Sequence, residues 1–79
     1  MEIQTGSIVY SKAGRDKSNI LLVLKVEDGY AYVADGIQRK VDKPKKKKLI
    51  HLAPTNSVHT GPTDTNPKLR QILKNHNGG

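Results

Sequence analysis

Asn19-Ile20-Leu21-Leu22-Val23-Leu24-Lys25-Val26-Glu27-Asp28-Gly29-Tyr30-Ala31-Tyr32-Val33-Ala34 is the stretch that decides the fold. Its first half is apolar on both parities. Ile20, Leu22, Leu24 and Val26 share one side of an extended chain, while Leu21 and Val23 share the other. A strand of that kind is covered on both faces over part of its length. Asp28-Gly29 then supplies a two-residue turn whose members both tolerate positive φ, the mark of a tight hairpin. Tyr30 to Ala34 forms the return strand, with Tyr30, Tyr32 and Ala34 on one face and Ala31 and Val33 on the other. The centre of the molecule therefore reads as an antiparallel hairpin.

Upstream, Gly6 to Ser11 centres on Ile8, Val9 and Tyr10 and reads as a short strand. Lys12 to Ser18 is polar and contains Gly14, so it reads as a loop. Downstream, Asp35-Gly36 repeats the turn chemistry, and Ile37 to Val41 reads as a further strand. The lysine-rich stretch that follows reads as a loop, and Leu49 to Leu52 as a last strand ended by Pro54. Five short strands without an intervening helix predict a mainly β fold, a small curled antiparallel barrel whose closure covers its edges. Residues 1–54 make this barrel, 55–65 an irregular connector and 66–76 a C-terminal helix. Asn66 is placed as N-cap and Pro67 at the first helical position. Leu69, Ile72 and Leu73 recur on one stripe, and Lys74 and His76 suit the negative end of the helix dipole. So short a helix needs a surface to form on, the barrel's own or a partner's.

The 79 residues suffice for one small domain. Fourteen Lys and Arg face seven Asp and Glu, for a net charge of +7. Arg39 to Lys48 holds seven cations and one acid, Asp42, and so carries +6 of that total. A chain this basic meets a polyanion, with nucleic acid the first candidate. Arg39, Lys40, Lys43, Lys45, Lys46, Lys47 and Lys48 would neutralise phosphates without choosing a sequence. Tyr10, Tyr30 and Tyr32 are the whole aromatic inventory. Tyr30 and Tyr32 share a strand face and are the candidates for base stacking; core or barrel-rim packing is expected of at least one tyrosine.

The absence of cysteine excludes disulfides, thiol catalysis and Cys-based zinc sites. His51, His59 and His76 do not follow metal-ligand spacing. Asp16, Asp28, Asp35 and Asp42 fall in turns or loops, and no pair is placed for acid–base work. No catalytic residue, metal or cofactor is expected. No apolar run reaches the ~18 residues of a membrane span, and the first residues lack a signal-peptide pattern. These features predict a soluble cytoplasmic monomer that does not engage membranes.

From Gly6 to Val26, and above all in Ser11-Lys12-Ala13-Gly14-Arg15-Asp16-Lys17, the chain resembles a KOW motif, in which a strand leads through a basic glycine-containing loop into an apolar strand of an SH3-like barrel. The likeness continues through Tyr32-Val33-Ala34-Asp35-Gly36 to His51-Leu52-Ala53-Pro54-Thr55-Asn56, about two-thirds of the chain. Ser18 and Ile20-Leu21-Leu22 stand where such motifs usually carry further glycines. The chain is most similar to small bacterial KOW-domain RNA-binding proteins, themselves similar to KOW-bearing large-subunit ribosomal proteins of archaea and eukaryotes. The resemblance implies binding of structured, ribosomal RNA, with Lys12, Gly14, Arg15 and Lys17 lining one edge of the site. Because each basic segment joins an odd strand to the next in an antiparallel meander, strand parity puts both at one end of the barrel, as a continuous face reading shape and backbone. The alternative it carries is a protein-interaction module with ribosomal or transcription proteins as partners, using the Leu69, Ile72 and Leu73 stripe.

Overall fold

The computed structural model describes residues 2–12 and 19–78. Five strands, β1 (Ser7–Ser11), β2 (Ile20–Glu27), β3 (Tyr30–Ala34), β4 (Lys45–Lys48) and β5 (Leu52–Val58), precede one helix, α1 (Asn66–Gly78). All pairings are antiparallel, in the order β4-β3-β2-β1-β5. The two edge strands are nearly consecutive in the chain, joined only by a single 3-10 turn, Leu49–His51. In a flat sheet the edges of five strands would stand ~19 Å apart, whereas such a turn advances the chain only ~8 Å. The sheet must therefore curl. Leu49 N donates to Gly29 O at 3.0 Å, and Lys12 N donates to His51 O at 2.8 Å, fastening both ends of the closure. The result is a mainly β, SH3-like barrel with a C-terminal helix.

The central hairpin forms as its sequence dictates. Asp28 and Gly29 have φ of 49° and 81°, both positive, which matches the right-handed twist of the flanking strands. β2 is indeed covered on both faces. Inside the barrel, Leu21 and Val23 pack with Val9, Ala31, Val33 and Leu52. On the outside, Leu22 packs with Ile8 and Ala34 against Leu69 and Leu73 of α1. The helix thus docks on its own sheet through Leu69 and Leu73, with Ile72 partly buried beside them.

One parity expectation is corrected. Val23 pairs with Val33, but the next pair is Lys25 with Tyr32, so Leu24 is an extra residue in β2. A bulge of this kind exchanges the faces of everything beyond it. Val26 accordingly joins Leu21 and Val23 in the interior rather than Leu22 and Leu24.

Ile37 to Val41 is not a strand. Asp35 Oδ1 accepts from Ile37 N at 2.8 Å and from Arg39 N at 2.9 Å. Asp35 N and Gly36 N both donate back to Arg39 O. These bonds close residues 35–39 into a compact turn, which α1 then holds. Val41 N donates to Asn66 Oδ1 at 2.8 Å, and Arg70 Nη1 to Gly36 O at 2.9 Å. Gly36 has φ +80°, and a Cβ there would lie 2.6 Å from Asn66 O. Gly36→Ala is expected to cost about 2–4 kcal/mol, from the left-handed backbone and the clash together. Gly29, with φ +81° but open space around it, should lose only about 1–2 kcal/mol. Urea denaturation of the two variants checks the difference; equal losses would contradict a tight loop–helix contact.

The strand that pairs with β3 is instead Lys45–Lys48, expected to be a loop. Lysine has little strand preference, but an edge strand fills one ladder and tolerates charge on its open side. Leu49–His51 takes the 3-10 turn, so only Leu52 of the expected last strand is extended. Pro54 does not end β5, which runs on to Val58; as an edge strand it accepts a residue without an N–H. The helix cap also differs. Thr65 Oγ1 accepts from Lys68 N at 3.3 Å and Thr65 O from Leu69 N at 3.2 Å, making Thr65 the N-cap. Asn66 is displaced from that role because its side chain holds Val41.

Candidate nucleic-acid interface

The bulge at Leu24 and the pairing of the lysine strand together create a surface. Register sets Lys25, Tyr32 and Lys46 side by side across β2, β3 and β4, with Glu27, Tyr30 and Lys48 as the neighbouring row. Ala31 and Val33 point into the core, so alternation sends both rows to the outer face. Lys46 Nζ lies 4.6 Å from the Tyr30 ring centroid, and Lys25 Nζ 5.9 Å from that of Tyr32, both within cation–π range. No tyrosine enters the core: Tyr30 and Tyr32 are half-buried on this face, and Tyr10 is exposed on β1.

Glu27 is the one acid in these two rows, and Lys25 Nζ meets its Oε2 at 2.8 Å. The hydrogen bond and charge of Lys25 hold the Glu27 carboxyl below its ordinary range, with a smaller contribution from Lys46. The same bond raises the Lys25 ammonium. Both groups are exposed, so the pair adds little to stability, but it withdraws one cation from an incoming anion. Glu27→Gln should raise affinity for a polyanion about two- to fivefold at low salt. Because the wild-type carboxyl is depressed, this advantage persists through mildly acid pH. It disappears only as pH falls through that lowered value, where Glu27 itself becomes neutral. A filter-binding series over pH measures it.

The other sequence-derived candidates divide. Lys45 and Lys47 pair with Val33 and Ala31, on the opposite parity from the tyrosines. Lys47 is half-buried, and its Nζ donates to Ser11 Oγ at 3.2 Å. Lys12, which follows Ser11 at the end of β1, is exposed. Gly14, Arg15 and Lys17 lie outside the described residues. Lys40 and Lys43 are exposed in the β3–β4 connection, and Arg39 is half-buried there. That connection leaves the sheet at the same end as the β1–β2 connection, since Ile20 pairs with Tyr10 and Leu22 with Ala34. Lys25 is the member that parity reasoning missed. An unbroken β2 would have turned it to the interior, and no residue type at Leu24 announces the bulge.

No family model matches this chain, and no curated protein matches it. The KOW likeness accordingly rests on the residues quoted for it. Among the described residues, no group of three or more His, Cys, Asp and Glu could hold a metal ion. Among the same residues, no helix is long and apolar enough to cross a membrane.

Proposed function

We propose that this chain is a non-catalytic RNA-binding protein that contacts ribosomal RNA through a basic face, in translation or ribosome assembly. The observation that carries the reading is the outer surface of β2, β3 and β4, where Lys25, Lys46 and Lys48 surround Tyr30 and Tyr32. Ammonium groups there can replace counterions on phosphates, and aromatic rings between them can take the faces of unpaired bases. An open, convex surface of this kind suits a polymer rather than a small substrate, which needs a concave, water-excluding site. Lys12, Lys40, Lys43 and Lys45 extend the positive surface toward the end of the barrel where the KOW-like loop begins. The ribosomal assignment comes from the KOW likeness; charge alone argues only for a polyanion. The reading places the protein in the cytoplasm as a monomer.

The alternative, a protein-interaction module, drew its partner helix from Leu69, Ile72 and Leu73. Leu69 and Leu73 are buried against the chain's own sheet, so this second reading loses the feature that suggested it. Ultraviolet crosslinking in cells, followed by sequencing of the attached RNA, tests the proposal. Reads confined to a few ribosomal RNA positions are expected. Reads scattered over transcripts in proportion to abundance would contradict it.

A further inference from the structure

A groove of about 560 Å³ lies between the β3–β4 connection and α1, and Asn19 and Ile20 at the start of β2 complete its lining. Its size is that of a small-ligand site. The groove is separate from the tyrosine face, and its lining is chemically mixed. Ile37 and Leu73 are apolar, Asn19 and Gln38 bring amides, and Arg70 and Lys74 bring positive charge. Asp35 also lines it, but its Oδ1 already accepts from Ile37 N and Arg39 N. Two features set this groove apart from an ordinary loop–helix seam. Ile37 is 64% exposed, a large β-branched side chain that the chain's own core does not use. The Arg70 guanidinium is pre-oriented by its bond to Gly36 O at 2.9 Å, and a guanidinium carries five donors in all.

We propose that this groove takes one unpaired nucleotide of the bound RNA. The base packs on Ile37 and Leu73, the Asn19 and Gln38 amides bond its edge, and Arg70 and Lys74 meet the phosphate. Amides both donate and accept, which is the pattern a base edge requires. Two cations against one engaged carboxylate give the lining the charge that a phosphate seeks. The inference rests on the RNA reading for the source of the nucleotide, and it adds base selection that a lysine–tyrosine face does not supply.

The test is a nuclear magnetic resonance titration of the full chain. The probes are the four nucleoside 5′-monophosphates, ribose 5-phosphate and short single-stranded oligoribonucleotides. Saturable shifts are expected at the Asn19 and Gln38 side-chain amides and the Ile37 methyls, with one base preferred about fivefold, the worth of one hydrogen bond. Oligonucleotides containing that base should bind more tightly than the free nucleotide. Ile37→Glu and Lys74→Gln, both at exposed positions, should abolish the groove shifts, and Ile50→Glu, at another exposed isoleucine, should leave them intact. Equal shifts from ribose 5-phosphate, or shifts that survive Ile37→Glu, would overturn the assignment. So would oligonucleotide binding that perturbs Tyr30 and Tyr32 but not the groove. A mononucleotide bound in the groove by a chain that binds no oligonucleotide would overturn the RNA source, and with it the proposed function, while leaving a small-nucleotide site.

Discussion

Replacing Leu69 by alanine is expected to lower the stability of the chain by about 3 kcal/mol, within the range for deleting a leucine side chain from a packed core. Leu69 is fully buried among Ile8, Leu22, Ala34 and Leu73. It is the principal anchor of α1 on the outer face of the sheet. A 79-residue chain has a total stability of only about 5 kcal/mol to draw on, so the loss is most of what holds it folded. The helix cannot compensate on its own, because thirteen residues are marginal in water without a docking surface. Urea denaturation followed by far-ultraviolet circular dichroism measures the effect. Ile50→Ala serves as the control. That side chain is 72% exposed, and its truncation should cost less than about 0.5 kcal/mol. A Leu69→Ala loss below 1 kcal/mol, on the order of an exposed-site change, would mean that α1 is not held by the sheet. The stripe would then be available to a partner, and the protein-interaction reading would regain its basis.

The second large effect concerns the lysine strand, which register divides into two pairs. Lys46 and Lys48 lie on the tyrosine face; Lys45 and Lys47 have the opposite parity, and Lys47 is tied to Ser11. The double variant Lys46→Gln, Lys48→Gln should weaken RNA binding on the order of tenfold to a hundredfold at low salt, two exposed contacts of about 1 kcal/mol each being lost. The slope of log K against log salt should fall by about 1.4 to 1.8, from 0.7 to 0.9 per phosphate contact. The double variant Lys45→Gln, Lys47→Gln removes the same charge and should lose distinctly less. This contrast separates a defined face from general attraction to a cationic protein. Equal losses in both pairs would reduce the lysine strand to a count of charges. Neither double variant should unfold the chain, since β4 is held through backbone pairing with β3 and its side chains are mostly exposed.

What could be read in advance was what local chemistry decides. Asp28-Gly29 forces its turn regardless of surroundings, and the double-sided apolar run of β2 required cover on both faces. The Leu69, Ile72 and Leu73 spacing marked a helix with one buried stripe. What could not be read was decided by distant parts of the chain. Asp35-Gly36 is the same dipeptide as Asp28-Gly29, yet Gly36 uses its freedom to approach Asn66 rather than to reverse a strand. Four consecutive lysines carry every local signal of a solvated loop. They become a strand because the free edge of β3 needs a partner and the short turn at Leu49–His51 fixes where the chain must pass. The bulge at Leu24 has no residue marker either, and it alone places Lys25 beside Tyr32. Lys46 and Lys48 were foreseen from charge and Lys25 was not; how the cations group into faces depended on pairing.

The central claim is that RNA lies across the outer surface of β2, β3 and β4. Its most direct test is to map ultraviolet-induced adducts on the purified chain bound to RNA, peptide by peptide, by mass spectrometry. Tyrosine adducts are expected at Tyr30 and Tyr32, which sit among Lys25, Lys46 and Lys48. Tyr10, 41% exposed on β1, is an internal reference for indiscriminate crosslinking. Adducts at Tyr10 with none at Tyr30 or Tyr32 would contradict the claim.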